Sequence, residues 1–173
     1  HQNAKILYMH TKGVSYNGEY QEVNDWRNYM MYFLVENHKL CIDLLDVYDC
    51  LGCNYNEQPH PHFSGNFWWT KSGYVRSLEK ITSDDRHDCE WWLLNDNSNV
   101  NKYVLCNTDA DHYCVNYPRH LYDTDTFKKE LSEFYKFDPT VRMKCVNLLR
   151  RADRKKVMTD LLNQHNLINN CDF

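Results

Sequence analysis

Glycine and proline are scarce in this chain, at five and four among 173 residues. So few breakers exclude the collagen-like and low-complexity classes and favour long regular elements. No apolar run approaches the roughly 20 residues that a membrane-spanning helix needs. No Asn-X-Ser/Thr sequon occurs, so nothing in the chain advertises glycosylation on a secretory route. Positive charge is not in excess. The formal net charge is −4, which argues against a dedicated nucleic-acid binder. There is no internal repeat.

What is present reads as one globular domain spanning residues 1–173. Apolar residues make up 42% and charged residues 25%, ordinary values for a chain that buries a core. Aromatics reach 14%, which suits a site that stacks flat ligands. The eight cysteines are even in number, yet most sit inside apolar strand or helix patterns. There a thiol behaves as a small hydrophobe, and a chain this long needs no disulfide staples. The expectation is reduced thiols and a cytoplasmic setting, the host's if the protein is viral.

Hydrophobic periodicity supplies the elements. Lys5 to Met9 reads as a buried strand ending at His10-Thr11-Lys12-Gly13. Trp26, Tyr29, Met30, Phe33, Leu34, Leu40, Cys41, Leu44 and Leu45 fall at steps of three and four, one apolar face of a helix about five turns long. Asn24 or Asp25 would cap its start. Strands are expected at 47–53, 66–70 and 102–106, with short helices around 74–81 and 85–95. Further helices are expected from about Asp125 to Phe137 and from Pro139, which suits a first helical turn. Alternating strands and helices predict an α/β fold with a largely parallel sheet. Because the chain opens almost directly on a buried strand, an N-terminal strand or strands upstream of His1 are expected to complete the fold. The basic cluster 150–156 reads as a solvated helix face, with a weak contact to an acidic surface as the alternative.

Ligands of open α/β sheets bind at the carboxyl ends of strands. Four polar corners fall at such places: 10–13, 54–56, 60–66 and 109–112. Lys12 is a compact cation suited to a phosphate, and Gly13 lets backbone approach a ligand. Ser64 and Asn66 can bond sugar hydroxyls, and Gly65 leaves room beside them. The indoles of Trp68 and Trp69 offer a flat wall for a sugar ring. Glu90, between apolar neighbours, is a candidate general base or a carboxylate placed to favour a helix start. Asp109-Ala110-Asp111 has the carboxylate-X-carboxylate form that can hold a cation against a diphosphate. Cys50-X-X-Cys53 with His60 and His62 has zinc-like letters. Residues three apart in a strand point to opposite faces, which argues against zinc there; no metal ligand is assigned.

The ordered segments ILYMHTKGV, VNDWRNYMMYFLV, YDCLGCNYN, PHFSGNFWWTKSGYVRSL and DRHDCEWWLLN resemble the small GT-A-type glycosyltransferases of large algal DNA viruses and bacterial polysaccharide clusters. The resemblance covers roughly residues 5 to 95. It implies a GT-A-like three-layer α/β/α sandwich and transfer of a sugar from a nucleotide-sugar, a UDP-sugar by expectation, to a glycan acceptor. It also implies Mn2+ or Mg2+ against the donor diphosphate. On that reading His10, Lys12, Gly13 and Arg27 face the diphosphate. Asn54, Ser64, Gly65 and Asn66 hold the sugar, and Trp69 walls it. Glu90, with His62 behind it, takes the acceptor's proton. The rival readings are a non-catalytic carbohydrate-binding module and a zinc-stabilised interaction domain.

Overall fold

The computed structural model describes residues 4–12, 20–82, 85, 87–94 and 99–125, with short pieces at 143–144, 156, 159–160, 163 and 171–172. Gly13, Gly18, most of the helices expected beyond Asp125, Pro139 and nearly all of the basic cluster 150–156 lie outside the described residues. Among the described residues no helix is long and apolar enough to cross a membrane.

Four strands form the central sheet: β1 (Lys5–Tyr8), β2 (Cys50–Gly52), β5 (Trp68–Lys71) and β6 (Lys102–Val104), in the order β1-β5-β2-β6. A small hairpin pairs β3 (Tyr55–Asn56) with β4 (His62–Phe63), in a stretch that had read as loop. The sheet is mixed, not largely parallel. β5 runs antiparallel to both β1 and β2, and only β2 and β6 are parallel. The reversal is geometrically simple. The β3–β4 hairpin turns the chain back beside β2, so β5 returns antiparallel, with no crossover helix between them.

The sheet is covered on both faces, and alternation sorts the side chains. Leu7, Met9, Leu51, Cys53, Phe67 and Trp69 join the core built on the long helix. Cys50, Phe63 and Trp68 join Tyr74, Leu93 and Leu94 on the other face, with Tyr8 packed against them. That side carries α3 (Ser72–Ser77) and α4 (Asp88–Trp91). Cys50 and Cys53 therefore pack in different clusters, which separates the zinc-like pair. Burial pushes the Cys50 thiol up to about 12 and raises Cys41 and Cys53 as well. These are apolar packing groups rather than reactive thiols.

The long helix is α1 (Gln21–Met31), a π-helical turn at Tyr32–Glu36, and α2 (His38–Leu44). It starts earlier than the Asn24/Asp25 cap predicted. Tyr20 holds the cap position with no side-chain bond. Asp25 is buried inside the helix instead, accepting from Gln21 Nε2 at 2.7 Å and from the Tyr117 N–H at 3.1 Å. Tyr29 through Val35 are all buried, so this stretch is enclosed on every side rather than along one stripe. The wider π turn lets seven consecutive large side chains share the core. Asn37 Nδ2 donates to the Tyr32 carbonyl at 2.7 Å, serving a group at that turn.

Gly52 shows how tightly the second face is filled. A Cβ there would lie 2.4 Å from Phe63 Cγ. Gly52→Ala should cost about 1–3 kcal/mol through overpacking, read as a lower urea midpoint at unchanged slope. An unchanged midpoint would mean that the Phe63 ring does not rest on the β2 backbone.

Candidate functional site

β1, β2 and β6 end at the same edge of the sheet, where antiparallel β5 begins. This brings four loops together: residues 9–12, 53–56, 64–67 and 105–113. At this edge lies an open cleft of about 460 Å³ lined by Trp26, Asn54, Tyr55, Asn56, Ser64 and residues 107–113. Asp109, Asp111, His112 and Tyr113 all contribute to its wall.

Asn54 organises the floor. It is buried, and its φ of 49° is a left-handed conformation that asparagine tolerates better than most residues. Its Oδ1 accepts from the Thr108 N–H at 3.0 Å and from Tyr29 Oη at 3.1 Å. Its Nδ2 donates to His112 Nε2 at 2.9 Å. Its backbone N–H donates to the Cys106 carbonyl, and its carbonyl accepts from Ser64 N–H. The amide read as a sugar ligand thus ties together the loops that form the cleft.

Lys12 borders the cleft through Trp26. Its Nζ lies 3.8 Å from the centroid of the Trp26 ring and 3.4 Å from Tyr113 Oη. Burial pulls its ammonium below the ordinary lysine value, and Glu90 acts in the opposite direction. Arg27 Nη1 donates to the Lys12 carbonyl at 3.4 Å and Nη2 to Asn24 Oδ1 at 3.0 Å. Burial lowers this guanidinium too. Among the described residues, no carboxylate lies within ion-pair distance of Lys12 or Arg27. Half-buried cations with no carboxylate in contact are costly unless an anion completes them.

The other expected site residues divide. Ser64 lines the cleft, and its Oγ lies 3.4 Å from His62 Nε2. His62 Nδ1 lies 2.7 Å from the His60 carbonyl, so the ring is oriented by backbone. His10 Nε2 donates to the Gly65 carbonyl at 3.1 Å. Gly65 does not leave an open corner. At φ +90° it packs so closely that a Cβ would lie 2.5 Å from Met30 Sδ and 3.2 Å from Trp26 Cε2. Glu90, on α4, is half-buried within electrostatic reach of Lys12 and of Tyr8.

Two residues expected to meet the sugar are buried and bonded within the protein. Asn66 is buried with φ 57° and accepts from Trp68 Nε1 at 2.8 Å, while its Nδ2 reaches the Cys89 carbonyl at 3.5 Å. It links the loop before β5 to α4. Trp69 is 2% exposed, flanked by Leu7 and Leu51 across the sheet, and donates its Nε1–H to the Leu34 carbonyl at 2.7 Å. It is core. Trp68 is also buried, stacked on Tyr8 at 4.7 Å. The aromatic wall of the cleft is Trp26 instead, which had read only as part of the helix's apolar stripe. Its face stacks on His112 at 5.4 Å, with an 8° interplanar angle.

The described residues contain four buried side-chain polar atoms with no partner: Trp26 Nε1, Arg27 Nε, His112 Nδ1 and Tyr122 Oη. Three belong to the cleft wall or to the cationic corner beside it. All three are donors. Trp26 and Arg27 can only donate. His112 Nε2 accepts from Asn54, which leaves the proton on Nδ1. Orphaned buried donors are rare in native proteins, and two of these lie in the cleft wall, with Arg27 Nε beside it.

No curated protein and no solved structure matches the chain. Residues 1–88 match a family described as a domain of unknown function, DUF8361. The matched segment holds Lys12, Trp26, Arg27, Asn54 and Ser64, and the loop 107–113 lies beyond it. With just over half of its 173 residues matched, the chain belongs to the DUF8361 family.

Proposed function

We propose that the chain is a nucleotide-sugar-dependent glycosyltransferase of GT-A-like three-layer architecture, acting on a glycan acceptor in a cytoplasmic compartment. The observation that carries this reading is the acceptor deficit at the cleft. Trp26 Nε1, Arg27 Nε and His112 Nδ1 lack partners, beside the ammonium of Lys12. A diphosphate supplies acceptor oxygens and negative charge together. The sheet edge is also where α/β folds hold nucleotides.

In the reaction, the bond between the anomeric carbon and the phosphate oxygen breaks. The nucleoside diphosphate departs with the electron pair. The acceptor oxygen forms the new bond and gives up its proton. Lys12 and Arg27 stabilise the leaving charge. Ser64 and Asn56 at the cleft wall hold sugar hydroxyls. Glu90 takes the acceptor's proton, with His62 beside Ser64 as the second candidate.

Among the described residues no group of three or more His, Cys, Asp or Glu could hold a metal. Asp109 and Asp111, both at the cleft wall, offer two carboxylates. That set fits Mn2+ or Mg2+ when substrate phosphate and water complete the shell, and the ion would there neutralise diphosphate charge. The carbohydrate-module alternative relied on Trp68 and Trp69, both of which are buried.

The test is UDP or GDP release from a panel of UDP- and GDP-sugars, with thermal stability measured alongside. We expect one donor to be turned over in Mn2+, and its nucleotide to raise stability by about 2.7 kcal/mol at a concentration 100-fold above Kd. Asp109→Asn should slow turnover about tenfold or more. No turnover and no nucleotide-dependent stabilisation across the panel would overturn the proposal.

A further inference from the structure

We propose that His112 is a built-in neutral hydrogen-bond donor of the cleft, held in one tautomer to present Nδ1–H to an acceptor oxygen of the bound nucleotide. This deepens the transferase reading and rests on it.

The tautomer follows from a chain of fixed roles. The Thr108 backbone N–H can only donate, and it meets Asn54 Oδ1 at 3.0 Å. That orients the Asn54 amide without ambiguity, so its Nδ2 is the group facing His112 Nε2 at 2.9 Å. Nδ2 can only donate, so Nε2 is the acceptor and the imidazole proton sits on Nδ1. The ring is 5% exposed and enclosed by Trp26, Tyr29 and Tyr117. It lines the cleft, yet no protein atom accepts from Nδ1.

A protein that fixes a ring on one nitrogen and leaves the other buried and unsatisfied carries an energetic deficit. The deficit is removed when a ligand supplies the oxygen. Trp26 Nε1, unpartnered and on the ring stacked against His112, adds a second donor in the same wall. The class of group recognised is a pair of acceptor oxygens. Two parts of a nucleotide offer that chemistry, the base carbonyls and the phosphate. Asp109 and Asp111 share this wall, so a neutral donor such as Nδ1–H offers an acceptor oxygen a partner beside those carboxylates.

The experiment uses the full chain and titrates UDP, uridine and inorganic pyrophosphate calorimetrically. Two variants separate the ring's nitrogens. His112→Gln keeps an acceptor where Nε2 meets Asn54 but removes the Nδ1 donor. His112→Asn keeps a donor near Nδ1. The lost bond should weaken UDP binding by His112→Gln about five- to tenfold, while His112→Asn stays within about threefold of wild type. Loss confined to uridine assigns the contact to the base, and loss confined to pyrophosphate assigns it to the phosphate. Equal UDP affinity in wild type and His112→Gln overturns the inference and leaves the transferase reading standing. Failure of all three probes to bind wild type overturns both. If His112→Gln does not fold, the histidine nitrogen spectrum of wild type decides. A protonated Nδ1 whose signal shifts with UDP supports the inference, and a protonated Nε2 or an unmoved signal defeats it.

Discussion

Lys12→Met should bind inorganic pyrophosphate about 10- to 100-fold more weakly than wild type, with the fold intact. A charged hydrogen bond to an anion contributes about 1.5–3 kcal/mol, and tenfold in affinity is about 1.4 kcal/mol. The fold should survive because no carboxylate is paired with Lys12 among the described residues. Methionine can also occupy the face of Trp26 that the ammonium covers. Binding should also depend on pH in a predictable direction. Burial lowers the ammonium's proton affinity, with Glu90 opposing. The cationic, binding-competent form is therefore lost as pH rises, starting below the usual lysine range. Calorimetry across alkaline pH checks this: wild type should lose affinity on that limb, and Lys12→Met should lack it. Equal pyrophosphate affinity in both proteins at neutral pH would remove Lys12 from the anion site.

Asn54→Ala should be the most destabilising change at the cleft, at about 3–7 kcal/mol. It strips the partner from the Thr108 N–H and from His112 Nε2. Each buried group left unsatisfied costs about 1–3 kcal/mol. Alanine must also hold the φ of 49° that asparagine adopts here, at a further cost of about 1 kcal/mol. For a chain of this length the sum lowers Tm by about 6–28 °C. Tyr29 limits the damage, because its hydroxyl also reaches the Cys106 carbonyl at 3.0 Å. Asn54→Asp separates the contributions. It keeps an acceptor for Thr108 but offers none of the donors that His112 Nε2 requires, so its cost should be the smaller of the two. A Tm within 2 °C of wild type for Asn54→Ala would show that the cleft floor does not depend on this hub.

The long helix was legible because its register repeats over many residues, and no alternative packing competes with that pattern. The strands at Lys5–Tyr8, Cys50–Gly52, Trp68–Lys71 and Lys102–Val104 were legible as apolar runs, though each is shorter than its run. Strand direction was not. Local pattern carries no sign for a strand's sense, and the β3–β4 hairpin that reverses the chain is only two residues deep. This matters for the site. In a parallel sheet the loop leading into β5 would lie at the edge opposite the loops leaving β1, β2 and β6. Antiparallel β5 places Ser64 with Asn54 and His112.

By itself the sequence determined the α/β class and the chemistry of its polar corners, with Lys12 as the candidate cation. Those follow from residue type and short-range period. Only the tertiary structure decided which side chains face the cleft. It buried Trp69 and Asn66, tied Asn54 to the loops around the cleft, and put Trp26 and His112 in its wall. The physical reason is that an aromatic or amide side chain is equally fit for core and site. Which role it takes depends on partners brought together by the fold, and sequence spacing does not record them.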